Sequence, residues 1–213
     1  VVLTPEEILQ FLKLPTGNIC DANGKGGNMD PAIKPIDPKS KMAGTAVTVR
    51  CQPGDNLTLH QAIYEAEPGS VLVIDVHAYT GAGPFGEIMA IACLERGIAG
   101  VVIDGACRDA NDIQELGLPL FCRAFNPGGT VKESLGTINE IIQCGGVVVK
   151  PGDIVVGDCD GVVVVPQERA REVLERAQAI AAKEKEVREL LRQGKTTLEI
   201  YGFDKLIEKK KFK

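Results

Sequence analysis

The sequence predicts one mixed α/β domain, in which a parallel βαβ section is followed by antiparallel strands and a long C-terminal helix. Three observations carry this. Short β-branched apolar runs alternate with helical stretches through the first two thirds of the chain, as a parallel sheet with crossover helices requires. The segment GGVVVKPGDIVVGDCDGVVVVP (residues 145–166) instead sets three valine-rich runs around PGD and DCDG turns, a pattern of antiparallel hairpins. One long charged helix then runs over about residues 167–193, with Gly194 as its stop. No internal repeat, low-complexity tract or linker interrupts the chain, so residues 1–213 read as a single domain.

In order, TPEEILQFLKL reads as a helix with Thr4 as N-cap, Pro5 at the first helical position and two acids in the first turn. A loop rich in Gly, Asn and Pro follows, through about Lys41. TAVTVRC is a strand, and a helix opens at GDNLTLHQAIYEA. SVLVIDV is a buried strand introduced by EPG, and EIMAIACLERG a helix closed by Gly97. AGVVID is another strand, ANDIQELG a short helix and PLFCRAF a further strand. After the long helix, TTLEIYGFDKLIEKK reads as a second, shorter helical segment.

Composition bounds the function. A hydrophobic fraction of 44% with 25% charged residues is globular and argues against disorder. The net charge of −5 offers no general attraction to nucleic acid or anionic lipid, and the basic tail KKKFK reads as a solvated end. No apolar run approaches the ~20 residues that cross a bilayer, and no signal peptide is expected. Residue 1 is Val, so an initiating Met is expected to be missing. Seven widely spaced cysteines without a CxxC pair, beside only two histidines, argue against structural zinc and for free, mostly buried thiols in a reducing cytosol.

TGAGPFGEIMA, from Thr80, satisfies the G-x-G-x-x-G fingerprint with Gly81, Gly83 and Gly86, and Asp104 ends the next strand where a ribose-binding acid would stand. Three features oppose a dinucleotide. HAYT separates the strand from the first glycine, Pro84 stiffens the turn, and Glu87 would repel a diphosphate at the helix start. The loop's physics survives: a glycine-bearing turn into a helix leaves unpaired N–H groups at the positive end of the helix dipole, an anion site that suits a carboxylate.

Arg108 and Asp109 follow the strand GVVID, at the carboxyl edge where ligands of parallel sheets gather, beside the loop carrying Glu87. Two carboxylates and a guanidinium suit a hard divalent cation plus an oxyanion. The structural alternative stands beside this: Asp109 caps ANDIQEL, Glu87 complements a helix dipole, and Arg108 pairs with either.

Glu87 followed some twenty residues later by Arg108–Asp109, together with PGDNL (53–57), FGEIMA (85–90), GVVIDGACRD (100–109) and PGDIVVGDCDGVVVVP (151–166), resembles the class II pyruvate aldolases related to 4-hydroxy-4-methyl-2-oxoglutarate aldolase. That family also holds the regulator of ribonuclease activity A proteins. The resemblance covers nearly the whole chain and implies the layered β/β/α architecture of that family. It implies that Asp109 binds a divalent cation, Mg²⁺ or Mn²⁺, and that Arg108 contacts the keto oxygen of a small 2-oxo acid. Gly86, Glu87, Ile88 and Met89 would receive the substrate carboxylate on their amides, while Glu87 holds metal-bound waters. Glu where characterised aldolases usually carry Asp bears on the substrate more than on the chemistry. Trimers or dimers of trimers are also implied, with an acid from a neighbouring subunit; Glu199 is the candidate.

The function expected is cleavage of 4-hydroxy-2-oxo acids, of the 4-hydroxy-4-methyl-2-oxoglutarate or 4-carboxy-4-hydroxy-2-oxoadipate type, to pyruvate, with oxaloacetate decarboxylation alongside. The rival is a non-enzymatic ribonuclease regulator, for which paired acids at a metal site would be useless; a dinucleotide-binding oxidoreductase is a distant third. Remaining features are read as structural. DCDG is a tight turn, His77 a loop residue, Cys107 an inert thiol, and AQAIAAKEKEVRELL an amphipathic helix packed on protein, with Glu184 and Arg188 paired.

Overall fold

The computed structural model describes residues 3–211. The chain opens with α1 (Pro5–Gln10), where Thr4 and Glu7 form a reciprocal capping box, followed by a 3₁₀ turn. Next comes α2 (Thr16–Ala22), inside the stretch expected to be loop. Its apolar content is small, and its first turn is held from afar. Asp158 accepts bonds from the Thr16 amide at 2.9 Å and hydroxyl at 2.7 Å.

β1 (Lys34–Pro35), β2 (Met42–Arg50), α3 (Leu57–Glu65), β3 (Ser70–Asp75), α4 (Glu87–Glu95), β4 (Gly100–Cys107), α5 (Ala110–Leu116) and β5 (Leu120–Phe125) form the parallel section and its antiparallel edge. β6 (Thr137–Ile138), β7 (Ile142–Cys144), β8 (Val147–Val149), β9 (Ile154–Asp158) and β10 (Gly161–Val165) follow. The main sheet has the order β1-β5-β4-β3-β2-β9-β10, with β2 to β5 parallel and β6 on the flank of β2. Its ends approach each other. Met29 N–H donates to Val162 O and Val164 N–H to Gly27 O, while β1, a few residues on, pairs with β5. The sheet is therefore almost a barrel.

Period-two alternation sorts the side chains. Val71, Val73, Val102, Phe121, Val155, Val162 and Val164 share an interior cluster. Leu72, Ile74, Val101 and Ile103 face α3, α4 and α5. Val156, Val163 and Val165 face α1, α2 and α6 (Ala170–Arg192). Burial on both faces is why the strands read as unbroken apolar runs.

Two expectations are corrected here. The PGD turn does not close a hairpin: β8 pairs with β7 across Gly145–Gly146, whereas β9 and β10 form the expected antiparallel hairpin at the DCDG turn. The C-terminal segment is two helices, α7 (Thr197–Tyr201) and α8 (Phe203–Lys211), because Gly202 adopts φ +65° and breaks the helix. Of KKKFK, three lysines lie in α8, and Phe212 and Lys213 fall outside the described residues. Among the described residues no helix is long and apolar enough to cross a membrane.

Candidate functional site

β3 and β4 are adjacent and parallel, so the loops leaving their carboxyl ends meet. Arg108 N–H donates to Phe85 O at 2.9 Å, stitching the two loops at the backbone. Asp109 adopts φ +57° and ψ +37°, a left-handed conformation costing roughly 1–2 kcal/mol in an ordinary residue and less in Asp. This geometry turns its carboxylate away from α5, whose N-terminus it does not cap through its side chain. Asp109 Oδ2 instead accepts from Glu87 N–H at 3.1 Å, at the start of α4. Arg108 Nε lies 3.6 Å from the same oxygen.

Gly86 makes the approach feasible. A Cβ there would sit 2.5 Å from Asp109 Oδ2 and 3.0 Å from Arg108 Nε. Of the four amides from Gly86 to Met89, Glu87 N–H serves Asp109 and Met89 N–H serves Gly86 O. Those of Gly86 and Ile88 have no acceptor among the described residues. Asp109 Oδ1 and the Glu87 carboxylate likewise accept no hydrogen bond among the described residues.

A cleft of about 290 Å³ opens on one side of Arg108, against Gly86 and Ile88. Asn56, which the PGDNL motif contains, lines it too, as do His60 and Lys132, which the sequence pattern did not single out. Asn56 and His60 are one turn apart on α3, a spacing that could have flagged them. Asn56 Nδ2 donates to Pro84 O at 2.8 Å, tying α3 to the glycine loop, while its Oδ1 is buried without a partner. Lys132 comes from a loop that the buried carboxylate of Asp55 holds down, accepting from Leu57 N–H at 2.9 Å, Glu133 N–H at 2.8 Å and Ser134 N–H at 2.7 Å. Those bonds lower the pKa of Asp55. Burial, and then the Lys132 charge, lower that of His60.

The remaining residues take structural places. Met89 is 5% exposed and presents backbone, whereas Ile88 is 73% exposed at the cleft rim. Glu199 Oε2 accepts from the Thr196 amide at 2.8 Å and hydroxyl at 3.0 Å, closing a capping box on α7. Asp104 is 6% exposed and bound to the Arg123 guanidinium and the Gly145 amide, so no ribose acid stands there. Asp158, Cys159 and Asp160 cluster at the β9–β10 turn, where the Asp158 carboxylate accepts from Thr16 and from Asp160 N–H. His77 N–H bonds Asp75. The Cys107 thiol lies 3.6 Å from that of Cys122, and this shared hydrogen bond and burial raise its pKa, which disfavours Cys107 as a thiolate.

Comparison with known proteins gives the family and the fold. Residues 16–164 match the family model RraA-like, described as Aldolase/RraA. A relative from Halalkalibacterium halodurans, carrying a provisional 4-hydroxy-4-methyl-2-oxoglutarate aldolase name, is 41% identical over 170 residues, 80% of this chain and 81% of its own. The crystal structure of an uncharacterized protein from Pseudomonas syringae pv. tomato superposes with TM-score 0.84 at 30% identity, covering 92% of both chains. The RNA-processing inhibitor RraA of Thermus thermophilis superposes with TM-score 0.66 at 28% identity, over 71% of this chain and 92% of its own.

Proposed function

This chain belongs to the RraA-like family, described as Aldolase/RraA, and from that premise we propose that it is a divalent-metal-dependent lyase. It cleaves 4-hydroxy-2-oxo acids, of the 4-hydroxy-4-methyl-2-oxoglutarate or 4-carboxy-4-hydroxy-2-oxoadipate type, to pyruvate, and decarboxylates oxaloacetate as a side activity. The observation that carries the reading is the meeting of Asp109 with the bare amide end of α4, 3.1 Å from Glu87 N–H and beside Arg108.

The donor set fits a hard cation. Asp109 Oδ1 and the Glu87 carboxylate are oxygen donors that accept no hydrogen bond among the described residues, and one or two such groups are what Mg²⁺ or Mn²⁺ takes when water and substrate complete its shell. When bound, the cation supplies Lewis-acid polarisation of the 2-oxo acid. The chain supplies the rest. The Gly86 and Ile88 amides, at the positive end of α4, receive the substrate carboxylate. Arg108 faces the keto oxygen, where charge builds as the enolate forms, and its planar fork does not titrate away. Lys132 lines the same cleft and is the cation a second substrate carboxylate would meet. In an oligomer, trimer or dimer of trimers, Glu199 of a neighbouring copy is the acid assigned to complete the site.

The Thermus relative is an RNA-processing inhibitor. A protein that acts only by surface contact has no use for two free carboxylates beside an arginine at a helix N-terminus, and this favours the enzyme. The test is CO₂ release from oxaloacetate with Mg²⁺, with Mn²⁺ and with chelator. Turnover is expected to need metal and to collapse in Asp109→Ala; metal-independent turnover, or a fully active Asp109→Ala, refutes the reading.

A further inference from the structure

Retro-aldol cleavage has a requirement that enolate stabilisation does not meet: the proton on the 4-hydroxyl must leave before or as the C3–C4 bond breaks. The group that takes it must stand on the cleft wall beyond the grip on the 2-oxo acid. That wall offers few bases. Lys132 and Arg108 are cations, and Thr130 is a hydroxyl. The Asn56 amide has no basic lone pair, and its Nδ2 is already bound to Pro84 O. Asp109 lies on the other flank of Arg108, in a separate depression with Phe125 and Asn126.

Resting on the function proposed above, we propose that His60 is the general base of the cleavage step. Its imidazole lines the cleft with Gly86, Ile88 and Arg108, and makes no hydrogen bond to any described residue. The backbone beneath it is fixed. His60 N–H donates to Asn56 O at 3.4 Å, Leu57 N–H to Asp55, and the Asn56 side chain to Pro84, so the first turn of α3 is pinned to the loop that grips the substrate. Burial and the neighbouring Lys132 also keep the ring neutral near pH 7, the form that accepts a proton.

The step balances. An imidazole nitrogen takes the O4 proton, the freed O4 pair forms the new C4 carbonyl, and the C3–C4 pair passes into the enolate of pyruvate. Water then protonates C3, giving the methyl group, and the hydroxide left behind takes the imidazolium's proton; this last step is common to both substrates and does not need His60. No oxidant or net proton is consumed.

Oxaloacetate distinguishes this role from a merely structural one, because it has no 4-hydroxyl and no proton need leave before its C3–C4 bond breaks. The experiment measures kcat for 4-hydroxy-4-methyl-2-oxoglutarate cleavage and for oxaloacetate decarboxylation with Mg²⁺, in wild type and in His60→Gln. The ratio of cleavage to decarboxylation is expected to fall at least ~100-fold in the variant, the size of a lost general base. An unchanged ratio, whether both rates fall together or neither does, overturns the role of His60. A wild-type protein that turns over neither substrate overturns the parent reading and this role with it.

Discussion

Asp109 Oδ2 and the amide of Glu87 are 3.1 Å apart, so a carboxylate at the end of one strand caps the helix that follows its neighbour. The bond spends one carboxylate oxygen on architecture and leaves Oδ1 for a ligand. Asp109→Asn separates the two duties. An asparagine tolerates the left-handed backbone and its carbonyl can still accept from Glu87 N–H, but it carries no charge for a cation. Thermal stability without metal should stay within about 1 kcal/mol of wild type. Any Mn²⁺-induced rise in melting temperature should vanish, with oxaloacetate decarboxylation down at least ~100-fold. A variant that keeps its metal-induced shift would move the cation elsewhere.

Gly86→Ala tests the same contact from the other side. The backbone there, at φ −142°, is open to any residue, so the effect is steric alone. The new methyl would stand 2.5 Å from Asp109 Oδ2, and the carboxylate and Arg108 must move apart to admit it. Displacements of this order cost up to about 10²-fold in rate. The expected result is a folded protein with an unchanged circular dichroism spectrum and kcat/KM lowered roughly ten- to a hundredfold. Full activity would mean the close approach is not needed.

Much of this architecture is legible in the chain. β3 and β4 are buried on both faces and so appear as unbroken apolar runs, and the turns after them carry the glycines and the Arg108–Asp109 pair. What escapes the sequence depends on partners far along it. α2 holds few apolar residues and is secured by Asp158, more than a hundred positions away. The β7–β8 pairing had a local signal in Gly145–Gly146, both at positive φ as a two-residue hairpin demands, but GGVVV reads equally as the start of one strand. At the site, Glu87, Arg108 and Asp109 announce themselves by motif. Lys132 reaches the cleft only because Asp55 binds its loop, and no spacing encodes that.

Asp55 therefore gives a stability prediction with a definite sign. Its carboxyl pKa is lowered in the folded state, first by the Leu57 amide and then by the Glu133 and Ser134 amides. A carboxylate whose folded pKa lies below its unfolded value, about 3.9, contributes stability that is complete above that value. The contribution fades as pH falls through the lower, folded one. Asp55→Asn should thus be less stable than wild type at pH 7, and the gap should narrow below about pH 4. Denaturant midpoints at pH 7 and pH 3 measure it; a gap independent of pH would deny the carboxylate its role.

The cleavage reaction should carry an acid limb set by His60. Its pKa is depressed, chiefly by burial and secondarily by Lys132. The charged side chains that share the cleft with it, Lys132 and Arg108, are both cations, so none there draws the value up. Protonated His60 cannot accept the 4-hydroxyl proton, and kcat for cleavage should rise with pH to a plateau, with its midpoint below the ordinary 6.5. Lys132→Gln removes one of the two causes and leaves burial in place. The midpoint should therefore move upward, toward but not beyond 6.5, while KM rises if the ammonium also meets a substrate carboxylate. Oxaloacetate decarboxylation, with no hydroxyl to deprotonate, should lack this particular limb in both proteins. A midpoint that stays fixed in Lys132→Gln, or the same limb in both reactions, would mean that another group governs the profile, because only a base facing Lys132 and serving the hydroxyl alone responds to both changes.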